Sequence, residues 1–133
     1  MDFQLHERLA ADTVFITDWP LSRLLLMNDV RFPWLILVPR RVGASEVFDL
    51  NPADRAVLQE EIYRVGKGLK AQTGCDKINI GVLGNMVPQL HVHVVARNKG
   101  DGAWPGPVWG SGPAIPYELA ARDDFLLRVV NGF

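Results

Sequence analysis

Two of the chain's three histidines stand two residues apart in the segment Gln89-Leu90-His91-Val92-His93-Val94-Val95-Ala96-Arg97. The segment reads as a β-strand, in which side chains alternate between faces, so Gln89, His91, His93, Val95 and Arg97 share one face. Leu90, Val92, Val94 and Ala96 make the opposite face wholly apolar and suited to burial. A stiff strand then holds two imidazoles about 7 Å apart at their backbones. With an ordinary pKa near 6.5, an imidazole is in good part neutral at cellular pH and can act as a nucleophile, a hydrogen-bond partner or a metal ligand. Two solvent-facing histidines on an antiparallel strand are the plain alternative. Against it, the pair lies between the turn at Gly84-Asn85 and the Gly100-Asp101 loop, in a chain whose one other histidine is His6. A His-x-His metal enzyme is a further alternative, but it lacks a nearby third ligand: no Asp or Glu follows until Asp101, and His6 is distant in sequence. No metal and no cofactor are therefore expected.

Such a strand needs a sheet and a helix to hold it. Residues 2–11, with Phe3, Leu5, Leu9 and Ala10, predict a short N-terminal helix on a sheet, with His6 at its surface. Thr13–Thr17 and Arg23–Met27 predict two strands at hairpin spacing. Trp34–Val38, stopped by Pro39, is apolar on both faces and predicts a central third strand. Asn51-Pro52 is a helix-start pair, since Asn accepts from free backbone N–H groups and Pro fits the first helical position. Val57, Leu58, Ile62, Val65 and Leu69 then recur at helical spacing towards Gly74, predicting the main amphipathic helix over one sheet face. Lys77–Val82 predicts the fourth strand and Gln89–Arg97 the fifth. From Lys99 to Pro116, Gly and Pro gather with Trp104 and Trp109, which predicts a structured loop capping a pocket. Leu119, Phe125, Leu126, Val129 and Val130 predict a C-terminal helix closing at Asn131-Gly132.

At 133 residues the chain suits one domain over 1–133, with room for one sizeable core. A hydrophobic fraction of 48% with 22% charged residues excludes the disordered and fibrous classes. The net charge of -1, with no Lys/Arg cluster, lacks the electrostatic footprint of a protein that binds long nucleic acid. The single Cys75 cannot form an internal disulfide, which fits a reducing, cytoplasmic setting. Asp2 stands where a secretory leader carries positive charge, and the apolar runs are too short to span a bilayer, so no membrane association is expected.

The histidine strand resembles the motif of the histidine triad (HIT) family, His-φ-His-φ-His-φ-φ with φ apolar, in the form Gln-Leu-His-Val-His-Val-Val. Gly84-Asn85-Met86-Val87-Pro88 is similar to the family's Gly-x-x-Val-x lead-in, and Arg97-Asn98-Lys99-Gly100-Asp101 to the segment that follows. The likeness extends upstream through Leu24–Asn28, Trp34–Pro39 and the helix after Asn51, covering about residues 3–101. The resemblance implies a HIT-like α+β fold: a five-stranded antiparallel sheet with one long helix, plus N- and C-terminal helices, paired into a homodimer. It implies a purine nucleotide or dinucleoside polyphosphate as partner, with the diadenosine polyphosphate hydrolase-like branch as the model. His91 is then the residue that attacks an α-phosphate to give a covalent nucleotidyl-histidine, resolved by water or by another acceptor. His93 contributes to phosphate binding, neutralising or hydrogen-bonding the developing charge.

Gln89 takes the place of the first motif histidine. A carboxamide donates a hydrogen bond but transfers no proton near neutral pH. Either amine leaving groups, which need protonation, become poor substrates while polyphosphates still react, or Gln89 preserves a hydrogen bond and changes little. By the same resemblance Asn28 contacts the ribose, with a turn-forming Asn as the alternative. Asn85 hydrogen-bonds phosphate from its turn, with ordinary turn chemistry as the alternative. Arg97 and Lys99 read as surface cations that need no ligand. A nucleotide-binding module of the same fold without chemistry is the other function in view.

Overall fold

The computed structural model describes residues 2–133. Helix α1 (Glu7–Asp12) leads into the strands β1 (Thr13–Asp18), β2 (Ser22–Met27) and β3 (Trp34–Pro39). The long helix α2 (Pro52–Thr73) follows, then β4 (Lys77–Gly81), β5 (Val92–Arg97) and α3 (Leu119–Arg128). The five strands form one antiparallel sheet in the order β1-β2-β3-β5-β4, so β3 is central, as its apolar sequence predicts. All six of its residues are buried.

Local chemistry sets the bounds of α2. Asn51 Oδ1 accepts the backbone N–H of Asp54 at 2.8 Å, and Pro52 opens the helix. Gly74 ends it in the left-handed conformation at φ 66°, which a side chain would disfavour. Leu58, Val65 and Leu69 of α2 pack on Leu24, Leu26, Leu35, Leu37, Val92 and Val94, joined by Phe125 of α3. Glu61 ties this helix to the sheet, for its carboxylate accepts the backbone N–H groups of Leu21 at 3.1 Å and Ser22 at 3.0 Å.

The other face of the sheet is also covered. Leu25, Trp34, Ile36, Val38 and Val95 pack there with Leu9, Phe32, Val87 and Val108, and Phe3, Leu5 and Trp109 lean on them. The N-terminal segment and the loop beyond β5 thus build a second core on the histidine side. No helix among the described residues is long and apolar enough to cross a membrane.

Four expected elements are shorter than their sequence patterns: β4 stops at Gly81 and α3 at Arg128, a 3-10 turn over Val130–Gly132 following it, and the other two bear on the site. The N-terminal helix starts at Glu7 and leaves residues 2–6 outside any helix or strand. Tertiary hydrogen bonds hold them so: Gln89 Nε2 donates to the Gln4 carbonyl at 2.9 Å, and the His6 N–H donates to Gln89 Oε1 at 2.8 Å. The Arg8 N–H, which would bond Gln4 in a continued helix, instead donates to the His6 ring Nδ1 at 3.0 Å. The fifth strand begins at Val92, not Gln89. Val92 pairs with Leu37 and His93 with Gly81, but the chain before them leaves the ladder, and the Leu90 N–H donates to the Ala44 carbonyl at 3.0 Å.

Candidate active site

His91 lies just ahead of β5 and His93 within it, and their ring centroids are 4.8 Å apart. Both are buried, with 6% and 5% of their surface exposed. The alternative of two solvent-facing histidines is therefore excluded. Each ring has its Nδ1 engaged by a group of fixed polarity. His91 Nδ1 is 2.7 Å from the main-chain carbonyl of Gln89, which only accepts, so Nδ1 carries the proton and Nε2 presents a lone pair. His93 Nδ1 accepts the indole N–H of Trp34 at 3.0 Å, so in the neutral ring the proton sits on Nε2. Burial, with the neighbouring His91 adding to it, pushes the His93 pKa down to about 3. His93 is thus a neutral hydrogen-bond donor at cellular pH, which favours hydrogen bonding over neutralisation among its expected roles.

Trp34 is a site residue that motif reading alone passes over. It opens β3 one residue after Pro33, and a lone indole at the start of a strand reads as core. Its neighbours show a second use: the His93 ring lies 5.7 Å away and Trp109 stands edge-on at 6.3 Å. Trp109 in turn meets His93 at 5.4 Å. The Gly/Pro/Trp loop therefore reaches His93 through Trp109.

Gln89 shares the neighbourhood, with its side chain turned to the N-terminal segment and both ends of its carboxamide taken by Gln4 and His6. His6 is half-buried there and caps α1, so it is not the plain surface residue expected. Asn28 is half-buried at the end of β2, and its carboxamide oxygen accepts the Tyr117 N–H at 2.9 Å, binding the C-terminal segment to the sheet. Asn85 is exposed on the turn before the motif.

Arg97 is not a surface cation. It is 1% exposed, forms two 2.9 Å hydrogen bonds to the Asp101 carboxylate and donates to Asn79 Oδ1 at 2.9 Å. The guanidinium holds Asp101 down to about 2. Its flat faces pack near Phe32 and Trp104, at 5.5 and 5.8 Å from the ring centroids. The sequence placed Arg97 on the histidine face, but the second core that buries that face was not legible. Lys99 is exposed, as expected.

A surface cavity of about 460 Å³ lies beside the start of α2 between Arg41, Gly43, Asn51 and Asp54. Neither imidazole lines it. Among the described residues no three His, Cys, Asp or Glu side chains stand together in a way that would hold a metal ion.

The fold has close counterparts. A histidine triad protein from Bradyrhizobium japonicum superposes with a TM-score of 0.96 at 46% identity, over 99% of this chain and 98% of that one. One from Sinorhizobium meliloti gives 0.96 at 51% identity, over 98% and 97%. One from Marinobacter aquaeolei gives 0.94 at 42% identity, over the whole of both chains. No functionally curated protein gives a match. Residues 8–100 match the model of the HIT domain, and with that span and these likenesses the chain belongs to the HIT domain family.

Proposed function

We propose that this protein is a nucleotide hydrolase or nucleotidyl transferase in which His91 Nε2 attacks an α-phosphorus, with purine dinucleoside polyphosphates as substrates. The observation that carries this reading is the 2.7 Å contact of His91 Nδ1 with the Gln89 carbonyl, which leaves Nε2 as the free nucleophile. In the first step an Nε2–P bond forms, the bridging P–O bond breaks, and the polyphosphate leaves with the bonding electron pair. The ring becomes cationic, and its Nδ1–H remains donated to the Gln89 carbonyl, whose dipole opposes that charge. In the second step water attacks phosphorus, the N–P bond returns its electrons to Nε2, and the water proton is released with the mononucleotide. The neutral His93 donates Nε2–H to a phosphoryl oxygen throughout.

Gln89 acts through position. Its main chain sets the His91 tautomer, and its side chain ties down residues 4–6, so no proton reaches the leaving group from it. A polyphosphate leaves without protonation and an amine does not, which favours the first of the two readings of this substitution. Asn85 hydrogen-bonds phosphate from its exposed turn, and Asn28 offers its remaining N–H groups to the ribose. The edge strand β4, with Ile80 half exposed, supports two-fold pairing into a homodimer.

The test is to mix the protein with a diadenosine polyphosphate, quench, and look by mass spectrometry for an acid-labile adenylyl adduct on His91. A His91→Asn variant gives none. If the wild-type protein binds the nucleotide but shows neither adduct nor turnover, the binding-module reading replaces the enzymatic one. A second comparison addresses the leaving group: an adenosine phosphoramidate turned over faster than the dinucleoside polyphosphate refutes the role given to Gln89.

A further inference from the structure

The indole of Trp109 carries a donor with no acceptor. Its Nε1 is buried and has no hydrogen-bond partner among the described residues. Such groups are rare in native folds, and each calls for a physical reason. The ring is held in place by a gap in β4: a Cβ on Gly81 would lie 2.7 Å from the indole Cη2 and 2.9 Å from Cζ2. Those atoms are on the same edge of the ring as Nε1. Gly81 is the register partner of His93. The same edge of the indole is thus brought to the strand position that carries the imidazole, and the two rings meet at 5.4 Å and 76°.

The neighbouring imidazole offers it no acceptor. His93 Nδ1 takes the Trp34 N–H, and the neutral ring keeps its proton on Nε2. An indole N–H only donates, so it needs an oxygen or nitrogen lone pair from outside the fold. The cation on this face of β5 is not free to attract an anion, because Arg97 is engaged by Asp101 and Asn79. An anion at His91 would therefore be held by neutral donors.

We propose that the Trp109 indole N–H is a phosphate-binding donor, hydrogen-bonded to a non-bridging oxygen of the phosphoryl group presented to His91. This rests on the reading of His91 as the nucleophile of a nucleotide enzyme, and it adds a residue from outside the motif strand. His93 and Trp109 would grip the phosphoryl group from two sides without adding charge, and their shared contact explains why Gly81 has no side chain.

The chain has four tryptophans, so protein labelled with ¹⁵N-tryptophan gives four indole N–H signals, and Trp109→Phe identifies the one of interest. Adenosine monophosphate is expected to move that signal downfield, and adenosine, which lacks the phosphate, is not. Trp109→Phe keeps an aromatic ring and loses the donor, so kcat on a diadenosine polyphosphate should fall about a hundred-fold. Gly81→Ala, which pushes the indole aside but keeps its N–H, should lower kcat in the same direction, and it serves should the Phe variant fail to fold. The proposal is overturned if the monophosphate shifts the His91 and His93 resonances while the Trp109 signal stays still, or if a folded Trp109→Phe turns over at the wild-type rate. Either result leaves the nucleotide reading intact. If no nucleotide moves any of these signals and no adduct forms on His91, both fall together.

Discussion

Replacing Trp34 by Phe takes away the donor behind His93 while leaving an aromatic ring in the second core. The indole is 7% exposed and its N–H lies 3.0 Å from His93 Nδ1. While it is there, a proton on Nδ1 would face another donor, so the ring is confined to the Nε2–H form. A neutral hydrogen bond contributes about 1 kcal/mol net, and leaving the buried Nδ1 unsatisfied costs about 1–3 kcal/mol. A tautomer preference weakened by about 1.4 kcal/mol is a ten-fold change in population. We therefore expect Trp34→Phe to show a mixture of His93 tautomers and a kcat about ten-fold lower on a diadenosine polyphosphate. Long-range ¹H–¹⁵N correlation spectra read the tautomer directly, and steady-state kinetics reads the rate. The smaller ring also leaves space, so stability should drop by about 1–3 kcal/mol in urea denaturation. A folded variant with one unchanged Nε2–H tautomer and wild-type turnover would refute the role given to the indole.

Three other perturbations probe the framework. Asp101→Asn removes the charge partner of a buried guanidinium and should cost about 3 kcal/mol in urea unfolding; a loss below about 1 kcal/mol would show that the pair does not hold the loop. Gln89→Ala frees the segment tied to its carboxamide, so amide exchange at residues 4–6 should speed up while the His91 tautomer, set by a main-chain carbonyl, stays the same; unchanged exchange there would count against the strap. Acid should weaken the fold through His93: below about pH 6.5 the unfolded chain takes up a proton that the native ring refuses until about pH 3, so the unfolded state binds more protons. Stability should decline as pH falls from about 6.5 towards about 3, approaching about 1.4 kcal/mol per pH unit in the middle of that range, a slope that His93→Gln removes.

The motif strand illustrates how far alternation carries. Period-2 reading placed His93, Val95 and Arg97 on one face, which the pleat of β5 enforces, while His91, expected in the same strand, stands just ahead of it with its ring 4.8 Å from that of His93. The bounds of α2 were equally legible, since an Asn cap, a Pro at the first position and a Gly terminator act through neighbours in the chain. The same local rules gave a strand beginning at Gln89 and a helix beginning near residue 2. The helix was cut short by hydrogen bonds from Gln89 to Gln4 and His6, more than eighty residues away in sequence, and the strand by the Leu90 N–H turning to the Ala44 carbonyl.

Arg97 shows the other limit. Its position in the sequence gave its face but not its burial, which depends on Phe32, Trp104 and Asp101 arriving from separate segments. The indoles that surround His93 were likewise unassignable, because a tryptophan at a strand start and another in a Gly/Pro loop are each satisfied by ordinary packing.

By itself the sequence determined the sheet, the long helix, the histidine pair and the family, because these follow from periodicity and near-neighbour chemistry. Only the tertiary structure decided which nitrogen of each imidazole is free. That choice is made by one proton acceptor and one proton donor, the Gln89 carbonyl and the Trp34 indole, and their polarity acts only once folding has brought them within hydrogen-bond distance of the rings.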